Sequence, residues 1–316
     1  MAMGKYIIKR LIQMLLALVI VSFGVFMIIN LIPGTPAEVL AGTNASEEQL
    51  QALNVKFGLD KPLLVRYFIW LKNVLHADLG NAVISGQPIA EMLASKLGAT
   101  IELTLVATAL SIILSLPLGI ACAMKPNGLL DKICTGFSAV FFAIPGFWLG
   151  ILLMLLFALV LHFLPPSGTV GFFEDPWGHV QSLMLPALTI SLGMAAKTIR
   201  YLRAALMDAL HQDYIITASA RGVPPKKVTY RHALRNALIP VVTVIGLQMG
   251  DLFGGALIIE QIFGWPGIGK LTIQAINWRD YNLLQGTVLY IVLSFMLVNL
   301  LVDILNALAD PRIRLE

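Results

Sequence analysis

The sequence predicts an all-α polytopic membrane protein with six transmembrane helices and both termini in the cytoplasm. Three observations predict it. Hydrophobic residues fill 58% of 316 positions and charged residues 13%, about half the quarter usual in soluble domains. Six stretches are apolar over roughly the 20 residues that a bilayer requires. The 22 Lys and Arg divide unevenly, with 15 in one alternating set of connecting segments and 7 in the other. Excess Lys and Arg mark the cytoplasmic side. The composition excludes a soluble globular enzyme, a disordered chain and a disulfide scaffold. The net charge of +4 matters through its placement, and no nucleic-acid partner is expected. Cys122 and Cys134 are too few and too widely spaced for a zinc or redox motif.

The spans are expected at 11–32, 98–124, 133–163, 182–199, 237–259 and 283–308. The first follows Lys5, Lys9 and Arg10, but its apolar run is too long for a signal-peptide core, so it is read as an uncleaved span. The third holds Pro145-Gly146, where a kink or break is expected. The fourth starts near Pro186 and is the least apolar. The segments then divide as 1–32, an N-terminal end with the first span; 33–97, an extracytoplasmic loop; 98–308, a five-helix core with a cytoplasmic loop at about 203–235; and 309–316, a cytoplasmic tail.

Within 33–97, Leu64, Phe68, Leu71 and Leu75 recur at helical spacing, with Arg66 and Lys72 off the stripe and Asp60 and Pro62 at the start. This predicts an amphipathic helix lying against the membrane or the bundle. Ile89, Met92, Leu93 and Leu97 suggest a second. Trp70, Trp177 and Trp278 suit interfacial positions.

The cytoplasmic loop carries the largest block of positive charge. Ala218, Ser219, Ala220 and Gly222 crowd one short helix, and small side chains permit close approach of a partner surface. Gly222 is placed to end that helix, and Pro224 and Pro225 prevent its continuation. A solvated basic loop obeying the charge rule is the plainer reading of the same residues.

Acids inside apolar segments are costly and usually face a cavity or a partner. Glu102 lies near the outer end of span two, where snorkelling makes it cheap. Asp303, near the inner end of span six, could pair with a basic residue. Asp251 lies inside span five beside Gly250, Gly254 and Gly255. It either pairs with a partner subunit or lines a cavity that receives a cationic group. His76, His162, His179, His211 and His232 show no ligand spacing, so no metal site is expected. The run from Gly264 to Lys270 nearly spells a phosphate-binding loop, but Leu271 stands where that motif needs Ser or Thr. It is better read as a rigid Gly/Pro turn between spans five and six.

The loop Asp213-Tyr-Ile-Ile-Thr-Ala-Ser-Ala-Arg-Gly222, followed by Arg231-His-Ala-Leu-Arg-Asn-Ala-Leu-Ile-Pro240, resembles the EAA loop of binding-protein-dependent ABC importer permeases. The general Glu-Ala-Ala is replaced by Ile216, Thr217 and Ala218, and the variant is similar to that of the dipeptide, oligopeptide and nickel branch. Segments from Leu31-Ile-Pro-Gly-Thr-Pro36 through Phe57-Gly-Leu-Asp-Lys-Pro62, Ile144-Pro-Gly-Phe-Trp-Leu149 and Asn277-Trp-Arg-Asp-Tyr281 to Asp310-Pro-Arg-Ile-Arg314 extend the likeness over nearly the whole chain. The long first external loop resembles the B-type permease of the pair.

The resemblance implies a type I ABC importer transmembrane domain in a bacterial or archaeal cytoplasmic membrane. Its partners would be a homologous C-type permease, two ABC ATPases, an extracytoplasmic substrate-binding protein and membrane lipid. ATP and Mg would be held by the ATPases, with no cofactor and no catalytic residue in this chain. Asp213, Tyr214, Thr217, Ala218, Ala220, Arg221 and Gly222 would couple to the ATPase. Asp251, Gly254, Gly255 and Glu260 would line the substrate pathway or gate. Trp265, Pro266, Gly267 and Gly269 would touch the binding protein. The cargo would be a di- or oligopeptide, with nickel or a metal–metallophore complex as the alternative. A secondary transporter would need coupling acids and inverted repeats, and an intramembrane enzyme would need a catalytic motif; one acid, no repeat and no such motif are found.

Overall fold

The computed structural model describes residues 2–31, 36–41, 46–56 and 58–309. Sequence positions 32–35, 57 and 310–314, which carry parts of the quoted segments, lie outside them, as does the expected tail beyond 309. The described residues are helical apart from turns and one isolated bridge between Asn81 and Pro88. Five helices are long and apolar enough to cross a membrane, or six if one bent pair forms a single span. The chain forms two compact units, Met1–Thr100 with Pro266–Ser294, and Ile101–Trp265 with Phe295–Glu316.

The first unit begins with α1 (Ala2–Leu31), α2 (Pro36–Ala41), α3 (Glu47–Lys56) and α4 (Leu63–Leu75). A reciprocal cap starts α3, since Ser46 Oγ accepts from Gln49 N–H and Gln49 Oε1 accepts from Ser46 N–H. The amphipathic helix expected in the loop is α4, and Tyr67 is its inward residue. Its hydroxyl donates to Val19 O at 3.2 Å and lies 3.1 Å from Ser22 Oγ. Phe23 and Phe26 of α1 meet its ring edge-on. Leu64, Phe68 and Leu75 of the predicted stripe stay exposed, so this unit takes the Tyr67 face and leaves the stripe to another surface.

α5 spans Ile89–Met124, which corrects two expectations. Ile89, Met92, Leu93 and Leu97 do not form a separate amphipathic helix; they are the first turns of span two. Gly98 is the only residue there that disfavours a helix, by about 1 kcal/mol, and the burial of Ile89 and Leu93 outweighs it. These residues share a core with Ile29, Ile268, Leu271, Ala275 and Leu283. α13 (Ile268–Asn277) and α14 (Tyr281–Ala309) supply the last four. The buried Asp280 carboxylate accepts from Leu283 N–H, capping α14, and from Ile84 N–H, each at 3.1 Å.

In the second unit α6 (Leu129–Ala143) and α7 (Gly146–Met154) meet at 104°. Pro145 lacks an N–H and Ile144 is extended, so the helix ends where the sequence predicted a break. α7 runs on as a π-helical turn, Leu155–Val160. α8 spans Pro176–Leu210, well beyond the expected 182–199. Asp175 caps it by accepting from Trp177 and Gly178 N–H, with Pro176 at the first helical position. Pro186 therefore lies inside α8 rather than at its start. Its low mean hydropathy, 1.4, has a cause: 72% of its most apolar window is buried against protein, where Thr189, Ser191 and Thr198 are tolerated because they hydrogen-bond locally or across helices.

After α8 come α9 (Asp213–Ala220), α10 (Pro225–Lys227), a π-helical turn (Val228–Ala233) and α11 (Leu234–Gly255). Span five was expected to continue to Ile259. It ends at Gly255, and a separate α12 (Leu257–Phe263) follows after Ala256.

Candidate functional site

The basic segment after α8 turns on α9. A two-turn helix is too short to be stable alone, and Ile215 anchors it. Its side chain is 5% exposed and packs among Ala123, Leu206, Ala209, Val228, Ala233 and Ala237, which belong to α5, α8, the π turn and α11. Burial of one such side chain contributes about 1.5–3 kcal/mol. The helix closes in a Schellman arrangement. Val223 N–H donates to Ala218 O at 3.2 Å and Gly222 N–H to Ser219 O at 3.0 Å. Gly222 has φ +77°, which glycine adopts without strain, and Val223 packs on the same cluster. Asp213 sits in the first turn, where a carboxylate complements the helix dipole.

This mounting turns most of the predicted residues outward. Asp213, Tyr214, Thr217, Ala220, Arg221 and Gly222 are exposed, and Ala218 is half-buried. Ile216 is 60% exposed. The result is a rigidly held face of small and apolar side chains with an acid at one end and Arg221 at the other. Sequence reasoning found the face but not Ile215, whose anchoring partners lie far away in the chain.

A second feature lies between α7, α8 and α11. A groove with a cavity of about 300 Å³ is lined by Gly146, Thr189, Gly193, Lys197, Gln248 and Asp251. Gln248 Nε2 donates to Thr198 Oγ1 at 3.1 Å and joins α11 to α8 beside it. Among the described residues expected on the pathway, Asp251 alone lines this groove. Glu260 is fully buried within α12, and Gly254 is half-buried away from the lining. Gly255 has no described surroundings. Lys197 went unnoticed in the sequence, where it counted only toward the positive charge.

The Gly/Pro turn between α12 and α13 is largely inside its own chain. Gly264, at φ +68°, ends α12, and Gly267 precedes α13. Trp265 is 1% exposed, with its ring 5.8 Å from that of His179. Gly267 and Gly269 are also buried, and Pro266 is half-buried. The tryptophan expected to touch an external protein is thus a packing residue here. The resemblance to a phosphate-binding loop ends at the same place, since helices flank the turn and Leu271 is buried.

Glu102 also differs from expectation. It does not simply snorkel: its Oε1 lies 2.7 Å from His179 Nε2, and His179 Nδ1 lies 2.7 Å from Val170 O. The carbonyl can only accept, so His179 donates to it through Nδ1, and Nε2 faces the Glu102 carboxyl.

Over residues 115–315 the sequence matches the family described as the binding-protein-dependent transport system inner membrane component. Residues 3–104 match the N-terminal part described for such membrane components. A protein of Brucella abortus (strain 2308) named as a peptide transport system permease is 38% identical over 314 residues, covering 99% of this chain and 100% of that one. The glutathione transport system permease protein GsiC of Pectobacterium atrosepticum is 40% identical over 312 residues, 99% of each chain. The MetNI methionine ABC transporter, solved in inward-facing conformations, superposes with a TM-score of 0.57 at 17% identity, covering 69% of this chain and 96% of that one. That likeness shows the type I ABC importer transmembrane fold. Matched along nearly its whole length, the chain belongs to the binding-protein-dependent transport system inner membrane component family, as a multi-pass inner-membrane permease subunit whose ATPase activity resides in separate subunits.

Proposed function

We propose that this chain is the B-type permease of an ATP-driven importer of di- and oligopeptides. It works beside a homologous C-type permease, with two ATPases on the cytoplasmic side binding ATP and Mg, and an extracytoplasmic binding protein delivering the cargo. Both termini and the 203–235 loop are cytoplasmic in this reading, and 33–97 is extracytoplasmic. The 98–308 segment is the permease core, and 309–316 is a tail.

The observation that carries this reading is the exposed face of α9, fixed by Ile215 and the Gly222 cap. A face of small side chains suits a groove on an ATPase, with Asp213, Tyr214, Thr217, Ala218, Ala220 and Arg221 as its contacts. When ATP draws the ATPases together, α9 has no slack: its Ile215 cluster includes residues of α8 and α11, so the pull reaches those two helices. They flank the Asp251 groove, and a change in their packing would exchange inward and outward access. Packed helices support such two-state exchanges because their interfaces are bistable. The buried turn around Trp265, Pro266, Gly267 and Gly269 would brace the outer end, and Glu260 would act there as an internal support.

The peptide cargo is supported by the names of the relatives, a peptide permease and a glutathione permease. Bare nickel fits the groove less well, because Lys197 places a positive charge in the same cavity. The test is uptake by proteoliposomes carrying the whole complex and the binding protein, with a panel of di- and tripeptides, glutathione and Ni²⁺, with and without ATP. Peptide uptake that requires ATP is expected. Uptake without ATP would indicate a secondary transporter, and uptake of Ni²⁺ alone would overturn the cargo.

A further inference from the structure

Asp251 and Lys197 line one cavity and do not form an ion pair with each other; among the described residues neither has an ion-pair partner. Both lie on membrane-spanning helices, where a charge usually marks a substrate path or a paired partner. Their register is fixed by the bond from Gln248 to Thr198. Lys197 is next to Thr198, and Asp251 is three residues beyond Gln248, about 4.5 Å along the α11 axis. The groove thus presents an acid and a base that are not paired with each other, and both can meet a third group.

The space beside them is kept open. A Cβ built on Gly193 or on Gly146 meets nothing within 4 Å. Glycine is among the poorest residues for a helix interior, and Gly193 sits in the middle of α8. Apolar Ile190, Met194, Leu252 and Ile259 complete the walls. The cavity thus offers one anion, one cation and apolar walls.

We infer that this groove holds the two ends of a zwitterionic peptide, with Asp251 taking the α-ammonium and Lys197 the terminal carboxylate. The inference rests on the importer reading and adds the chemistry by which the permease itself selects cargo. The groove reads main-chain termini, and its apolar walls accept varied side chains. Each contact is a charge-assisted hydrogen bond, stronger than a neutral one. A cargo lacking either charge would leave one group without its partner.

The experiment uses the whole complex in proteoliposomes with saturating binding protein and the peptide panel above. Asp251→Asn and Lys197→Gln should each lower maximal uptake roughly ten- to a hundredfold, the cost of one charged hydrogen bond. Asp251→Glu and Lys197→Arg should keep most of it. Gly193→Leu, which fills the cavity, should block uptake, whereas Gly193→Ala should be tolerated. Recovery of the intact complex in detergent and the ATPase stimulation by loaded binding protein should stay at wild-type levels in both charge variants. Wild-type uptake in both charge variants would overturn the inference and leave the importer reading standing. Loss of complex recovery would overturn it too, by assigning the charges to the sister permease. Failure of the wild-type complex to take up any peptide with ATP would instead sink the importer-of-peptides reading itself.

Discussion

Arg203 grips Asp131 with two parallel hydrogen bonds, Nε to Oδ1 at 2.6 Å and Nη2 to Oδ2 at 2.8 Å. Asp131 is buried and also accepts from Asn127 N–H at 2.8 Å. The pair ties the first turn of α6 to α8 two turns before the segment leading into α9. Loss of one partner of a buried pair costs roughly 3–5 kcal/mol, and the lower end is expected here because 29% of the Arg203 side chain remains exposed. Arg203→Met should therefore lower the thermal stability of the purified protein clearly. Adding Asp131→Leu to Arg203→Met should recover most of the loss, since two apolar residues leave no buried charge unpaired. A double variant as unstable as the single one would show that the pair's net contribution, and not the orphaned acid, sets the cost.

The short helix α9 is legible in the sequence because its signals are local. Gly222, Pro224 and Pro225 punctuate one short stretch, and the small side chains lie within five residues of one another. What was not legible depends on residues far apart in the chain. Asp131 meets Arg203 across 72 positions and Glu102 meets His179 across 77, and no periodicity records either pairing. The length of α8 was missed for a physical reason. A helix that faces protein on most of its surface need not be apolar, so its hydropathy fades at the ends while the helix continues. Asp251 is legible in the sequence as a costly acid, whereas Lys197 joins the same groove only through the packing of α8 and α11. Trp265 shows the converse: a surface-like Gly/Pro turn whose tryptophan is buried.

The cap of α9 gives a prediction about backbone conformation. No atom lies within 4 Å of a Cβ at Gly222, so space is not the difficulty; φ +77° is. A left-handed residue other than glycine costs roughly 1–2 kcal/mol. Gly222→Val should distort the Schellman turn and shift the exposed face of α9, while Gly222→Asn should be milder because asparagine tolerates this region. ATP hydrolysis stimulated by loaded binding protein and peptide uptake should both fall in the order Val, then Asn, then wild type, with membrane insertion unchanged. Equal, undiminished activity in all three would remove α9 from the coupling path.

The proposed orientation rests on charge placement and is testable by chemistry at two exposed lysines. Lys226 lies in the basic loop and Lys61 in the segment before α4, and both are exposed. Cys122 and Cys134 are buried free thiols and are replaced first. A thiol reagent that does not cross the membrane should then label Lys61→Cys from outside whole cells. It should reach Lys226→Cys only after the membrane is opened. Labelling of both from outside would reverse the placement of the α9 loop and remove ATPase docking from it.

Gly246 on α11 lies closely against Val302 on α14. A Cβ at Gly246 would collide with the Val302 side chain, which is 6% exposed. One turn along α11, a Cβ at Gly250 would come 3.0 Å from Phe295. The two helices are packed as closely as glycine allows, a common device in membranes, where no water is present to drive helices together and van der Waals contact must do so. Gly246→Ala should overpack the interface and lower stability by about 1–3 kcal/mol. Val302→Ala alone should cost less, since valine loses only two methyl groups. Combining them should recover part of the Gly246→Ala loss, because the methyl groups removed from Val302 make room for the one added. A thermal-denaturation cycle over the four proteins measures that coupling. Strict additivity would mean that α11 and α14 separate easily to admit the extra methyl and that the glycine is dispensable for their contact.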